Sequence, residues 1–278
     1  MFSSDWKAHR NPSPTPDNPK LVRLTSDVEW IQLIENAISD NRCALYLQDV
    51  ISLAEPDSRR YYEVSVRLFD PNGRVIPPSV FLPVAERYYL LPDLDRWLVE
   101  NLLESLAKIE ADLLNNSSFA INLSRHSINK VDFVSRIHQQ LKQLDISPEV
   151  ICFEINETVA LSNLEIASDL ITYLQSLGYY FTLDDFGRGL SSLSYLKHLP
   201  VDYIKIPGIF IRNMLNDLTD RSIVEMIHYL AQKMGLKTIA EDVETEAIFQ
   251  SVKALGINYA QGYYLSRPQP FEKVLRSE

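Results

Sequence analysis

The chain has 278 residues, 46% of them apolar, with two cysteines and a formal net charge of −10. That length fits one large α/β barrel or two modest domains, and the apolar fraction supplies a sizeable core and excludes a disordered chain. The acidic balance argues against general nucleic-acid binding, because phosphate backbones select basic surfaces. Cys43 and Cys152 sit in apolar, strand-like runs and read as buried free thiols of a reducing compartment. No run approaches a spanning helix, and the first residues lack the charge-then-apolar order of a signal peptide. The expected setting is cytoplasmic, without membrane insertion.

Residues 1–20, polar and proline-rich, read as a flexible leader or linker, and residues 21–278 as one barrel-sized domain. The domain opens on "SDVEWIQLIENAISD", a helix with Ser26 and Glu29 as a capping box. Strand-like runs follow at 43–53, 61–69, 118–124, 150–156, 179–185, 201–206, 237–243 and 259–265. Only a short turn separates the first two, which leaves room for an antiparallel first strand. Between the later ones lie helical patterns, among them the long "LDRWLVENLLESLAKIEADLL" and the shorter "VDFVSRIHQQLKQL", "LEIASDLITYLQSLG", "RSIVEMIHYLAQKMG" and "AIFQSVKALG". Gly178, Gly235 and Gly256 each stand where a left-handed helix cap belongs. Eight strands with intervening helices predict a (β/α)8, TIM-like barrel over an open doubly wound sheet.

Nearly every strand is apolar except for one polar side chain in its middle or C-terminal half. These are Gln48, Glu63, Asn122, Glu154, Asp184 with Asp185, Lys205, Glu241 and Gln261. A single buried acid is commonly a salt-bridged structural group. One per strand is different, because the strand ends of a barrel converge on one mouth. Buried carboxylates cost several kcal/mol each unless neutralised, and Lys205 cannot balance five of them. All the donors are oxygen, and the five histidines, His9, His126, His138, His198 and His228, have no ligand spacing. The pattern therefore predicts hard divalent ions, Mg2+ or Mn2+, rather than zinc. Two ions bridged by a carboxylate, here Asp184 with Asp185 reaching the second, are a recurring device for phosphoester hydrolysis. The "DFG" at 185–187 has no Gly-rich loop or H-R-D partner, which excludes a protein kinase.

Taken together, "YLQD", "YEVSVR", "IPPSVFLPVAER", "INLS", "FEINET", "LDDFGRGLSSLSYL", "DYIKI", "IAEDVET" and "AQGYYLSRP" resemble the EAL-domain family over about residues 25–275. The resemblance implies a barrel that hydrolyses the bacterial messenger cyclic di-GMP to linear pGpG. By position, it implies Glu63, Asn122, Glu154 and Asp184 as ligands of a first ion. Asp184 and Asp185 would bind a second, and Glu241 would bind metal or take a proton from water. Lys205 would hold the attacking water, and Glu63, Lys205 and Glu241 would be the groups on which turnover depends. Glu157 would brace the loop after Asp185, in which Gly187 and Gly189 permit a tight turn. Gln48, Arg67 and Gln261 would contact the ligand, Arg67 through phosphate, with Glu244 a secondary candidate or a helix-start acid. Family members also imply a homodimer and fusion to diguanylate-cyclase-like or sensory domains.

The departures set the alternatives. Glu-Ala-Leu reads Glu63-Val64-Ser65, Gln48 is followed by Asp49 in place of proline, Asp242 stands for a glycine, and the family's Lys-Ile-Asp reads Lys205-Ile206-Pro207. Proline offers neither charge nor a backbone donor there. A catalytically impaired domain acting as a cyclic di-GMP receptor or regulatory module is thus the second reading. A barrel glycosidase using two of the acids is a third, which the Asn-Lys-Gln complement fits poorly.

Overall fold

The computed structural model of the chain describes residues 26–54, 59–128, 131–189 and 193–275, so the expected leader at 1–20 lies outside the described residues. Runs of aromatic, β-branched and aliphatic residues form β1 (Cys43–Ser52), β2 (Arg60–Phe69), β3 (Val75–Ile76), β4 (Ser117–Asn122) and β5 (Ile151–Asn156). They continue in β6 (Tyr180–Asp184), β7 (Tyr203–Ile206), β8 (Lys237–Ala240), β9 (Tyr259–Ala260) and β10 (Gln269–Pro270). The hydrogen-bonded order is β10-β1-β9-β8-β7-β6-β5-β4-β2-β3, and β1 also pairs with β2. Eight strands thereby close into a barrel, with β3 and β10 as short additions. From β2 through β9 the barrel neighbours are parallel. β1 is antiparallel to β9, so the expected antiparallel first strand is observed.

Parallel strands covered on both faces should be apolar throughout. β4 and β5 are buried at every position except the last, Asn122 and Asn156. Near the strand starts, Val50, Tyr61, Ala120, Cys152, Ile239 and Tyr259 pack together, with Tyr180 and Tyr203 against them. The Tyr61 hydroxyl lies 3.1 Å from Thr182 Oγ1 and 3.3 Å from Cys152 Sγ. This plug fills the lower barrel and leaves the C-terminal strand ends as the place for chemistry.

Two compact units are distinguished, 26–44 with 66–94, and 45–65 with 95–275. In the first, the helix Asp27–Ser39 starts at the expected capping box, with Glu29 N–H donating to Ser26 Oγ and Ser26 N–H to Glu29 Oε2. Its buried Leu33, Ile34 and Ala37 belong to a helix that packs on Pro78–Arg87, which buries Phe81 and Ala85. The second unit contains β4 to β9, most of β1, β2 as far as Ser65, and the candidate site. Gly178, Gly235 and Gly256 take left-handed φ of 97°, 74° and 82° at the helix ends where they were expected.

Several boundaries differ from the sequence expectation, among them these. The long helix breaks into Leu91–Leu106 and Ala111–Asn115, separated by turn bonds such as Lys108 N–H to Ser105 O. The last two barrel strands stop early, at Ala240 and Ala260. Beyond them the Val243 and Gly262 backbones meet closely: a Cβ on Gly262 would lie 2.6 Å from the Val243 carbonyl carbon. Only glycine permits that approach, and residues 241–243 and 261–265 become rim loops.

Candidate functional site

Parallel register sets Asn122 opposite Glu154 and Asn156 opposite Asp184 near the strand ends, and Glu63 opposite Ala120, two residues before Asn122. Lys205, on β7, is buried with 1% of its side chain exposed. Its ammonium lies 2.8 Å from Glu63 Oε2, 2.8 Å from Glu154 Oε2 and 3.7 Å from Glu241 Oε1. The Gln261 amide donates to Glu63 Oε2 at 2.7 Å and to Gln48 Oε1 at 3.2 Å, and Gln48 donates to Ser266 O at 3.0 Å. Asn122 Nδ2 donates to Glu154 Oε2 at 3.3 Å. One connected network thus joins Gln48, Glu63, Asn122, Glu154, Lys205, Glu241 and Gln261.

Asp184 and Asp185 extend it. In a regular strand consecutive side chains oppose each other, but Asp185 has a φ of 57°. The left-handed residue turns the chain, and one oxygen each from Asp184, Asp185 and Glu241 falls within 4.8 Å of the others. Asp185 N–H donates to Asp184 Oδ1 at 2.8 Å, and Asn156 Nδ2 donates to Asp185 Oδ2 at 3.1 Å. Arg188 Nη1 meets Asp185 Oδ1 at 3.0 Å and Oδ2 at 3.2 Å. Glu157 Oε2 accepts from Gly187 N–H at 3.1 Å, and its Oε1 accepts from the Tyr195 hydroxyl. Gly187 has a φ of 87°, which a side chain would resist.

The electrostatics follow from many acids and one ammonium. Burial pushes the Glu154 carboxyl up to about 8, with Lys205 opposing the rise and Glu63 and Asp184 adding to it. Burial likewise raises Asp184, and raises Glu241 well above its ordinary value, Asp184 being the largest charge acting on the latter. Burial alone would lower Lys205, but Glu154, Glu63, Asp184 and Glu241 together hold it well above the usual range. Negative charge is in excess, a state that bound cations relieve. One atom independently supports this: Glu154 Oε1 is buried and makes no hydrogen bond. An all-oxygen donor set with an orphaned carboxylate oxygen fits a hard divalent ion.

Arg67 lies in the first unit, where its guanidinium donates to Val66 O. Glu244 is exposed, just before the Thr245 cap of the helix Glu246–Ala254, so its helix-start role falls to Glu246. Gly189 is exposed at the edge of a described segment. Pro207 takes the N-cap position of the helix Gly208–Asn213 without a side-chain bond. Sequence reasoning passed over Asn156, Arg188, Tyr195 and Ser266. Asn156 carried a signal, a polar strand end inside "FEINET"; the others contact the site only through turns of the fold.

A closed barrel, parallel from β2 through β9 with an antiparallel first strand, whose acid-rich, oxygen-donor mouth surrounds a buried lysine, defines the class of protein. A family model described as the EAL domain matches residues 31–268, and the chain belongs to that family. It is 38% identical to the cyclic di-GMP phosphodiesterase PdeB of Shewanella oneidensis over 87% of this chain and 28% of that protein. It is 34% identical to the cyclic di-GMP phosphodiesterase PdeF of Escherichia coli over 91% of this chain and 33% of that one. The bifunctional diguanylate cyclase/cyclic di-GMP phosphodiesterase MucR of Pseudomonas aeruginosa is 32% identical over 90% of this chain and 37% of its own. The chain thus spans about a third of these relatives' length. The FimX EAL domain of Pseudomonas aeruginosa, solved bound to c-di-GMP, superposes with a TM-score of 0.79 at 31% identity, covering 87% of this chain and 96% of that one. The PaMucR phosphodiesterase, solved as a c-di-GMP complex, gives 0.81 at 28%, covering 89% and 100%. Among the described residues no helix is long and apolar enough to cross a membrane.

Proposed function

We propose that this chain is a divalent-metal-dependent phosphodiesterase that hydrolyses cyclic di-GMP to linear pGpG. The carrying observation is the surplus of buried carboxylate around Lys205, with Glu154 Oε1 left without a partner. Relatives named as cyclic di-GMP phosphodiesterases supply the substrate class. In this reading Glu63, Asn122, Glu154 and Asp184 hold one ion, and Asp184, Asp185 and Glu241 a second. Bound Mg2+ or Mn2+ would neutralise charge on the phosphate and acidify a water.

The chain's own groups do the rest. Lys205, fixed by three carboxylates, points its ammonium at the centre of the acid ring and orients water there. Glu241, 3.7 Å from the Lys205 ammonium, either helps hold the second ion or accepts the proton that the attacking water releases. Gln48 and Gln261 line the Glu63 side of the mouth, and Arg67 is assigned to phosphate on the resemblance alone. A cytoplasmic site, a homodimer, and fusion to diguanylate-cyclase-like or sensory domains belong to the same proposal.

A second reading, a receptor that keeps the dinucleotide intact, is favoured by Pro207, which puts an uncharged N-cap in place of the family's aspartate. Incubation with cyclic di-GMP in Mn2+, in Mg2+ and in chelator separates the two. Linear dinucleotide that vanishes with chelator supports the enzyme; retained ligand without product supports the receptor.

A further inference from the structure

We propose that Arg188 is a built-in counter-cation for Asp185 and competes with a divalent ion for that carboxylate, so that the turn 185–189 sets occupancy of the Asp184–Asp185–Glu241 group. The inference rests on the metal-dependent reading above. Arg188 Nη1 spans both Asp185 oxygens, at 3.0 and 3.2 Å, and the two side chains are only 29% and 12% exposed. Asn156 already holds Oδ2, so the carboxylate's lone pairs are largely engaged by protein donors. Any cation among Asp184, Asp185 and Glu241, whose oxygens lie within 4.8 Å of each other, would sit beside the guanidinium and be repelled by it.

The contact is local, three residues apart, and can open without disturbing the barrel. Gly187 and Gly189 flank Arg188, while the base of the turn is pinned by the Gly187–Glu157 bond. A competing cation at Asp185, or an anion at the guanidinium, displaces Arg188 from the carboxylate. Lys205 serves the Glu63–Glu154 side as a fully buried, multiply held charge. Arg188 serves the other side as a displaceable one. The two halves of the mouth should therefore fill in order, the Asp185 half last.

Mn2+ titration of the intact chain by calorimetry and by the free-ion EPR signal tests this without substrate. Arg188→Ala should tighten the weaker Mn2+ site about twofold to fivefold, the range of a partly exposed ion pair, and leave the tighter site within about twofold. Arg188→Lys should fall between. Arg188→Gln, which keeps most of the side chain and removes its charge, should show the same gain, which a merely structural arginine would not produce. Unchanged or weaker Mn2+ binding in Arg188→Ala overturns the proposal. No Mn2+ binding by either protein overturns the metal-dependent reading, and this inference with it.

Discussion

Lys205 places one positive charge among Glu63, Glu154, Asp184 and Glu241, and stability should follow from that imbalance. Burial raises Glu154 to about 8, so between the ordinary carboxylate pKa of about 4.3 and 8 the folded protein binds more protons than the unfolded chain. Stability then falls as pH rises through that window. Thermal unfolding in chelator should show Tm decreasing from pH 5 to pH 8, and saturating Mn2+ should raise Tm most at pH 8. A flat or rising profile in chelator would mean that Glu154 titrates normally. At the same scale, Glu63→Ala removes a carboxylate bonded to both Lys205 and Gln261. Turnover should drop more than about a hundredfold, since even the outer partners of metal ligands cost 10- to 100-fold. Full Mn2+-dependent hydrolysis in that variant would refute its place in the site.

At the scale of elements, the rim between β7 and β8 is built on a reciprocal fit. Asp242 has a left-handed φ of 52°, and its carboxylate pairs with Arg212 of the helix Gly208–Asn213. It occupies the space a side chain at 208 would need: a Cβ there would come within 2.6 Å of the Asp242 Cβ. Gly208→Ala should therefore lose about 1–3 kcal/mol in denaturant unfolding, as overpacked sites do. Adding Asp242→Gly, which fits the same φ, should recover most of it. Equal losses in both backgrounds would show that the two positions are not coupled. The sequence showed Asp242 only as a departure from the family's glycine, because its fit with Gly208 depends on a close approach across the rim. The apolar strand runs were legible, since burial on both faces dictates them. Their ends were not, because β8 and β9 stop where the Val243 and Gly262 backbones meet.

For the molecule as a whole, the donors could be read from the sequence because a closed barrel turns one polar residue per strand into a ring. Glu63, Glu154, Lys205, Glu241 and Gln261 do meet. The Arg188–Asp185 and Asn156–Asp185 contacts could not be read, since they depend on the left-handed turn at Asp185. What the ring accomplishes then turns on Pro207, at the end of the strand that carries Lys205. Its φ of −59° and ψ of 139° suit an aspartate equally well, and Asp is a favoured N-cap. Pro207→Asp should therefore fold, and it adds a carboxylate beside a group already in surplus. In chelator its Tm should fall below that of the parent, because the added charge is uncompensated. In Mn2+ that deficit should close and turnover should rise about tenfold, the scale at which groups around a metal site act. A Tm difference that closes without any gain in rate would show that the ions bind and that position 207 does not limit the chemistry.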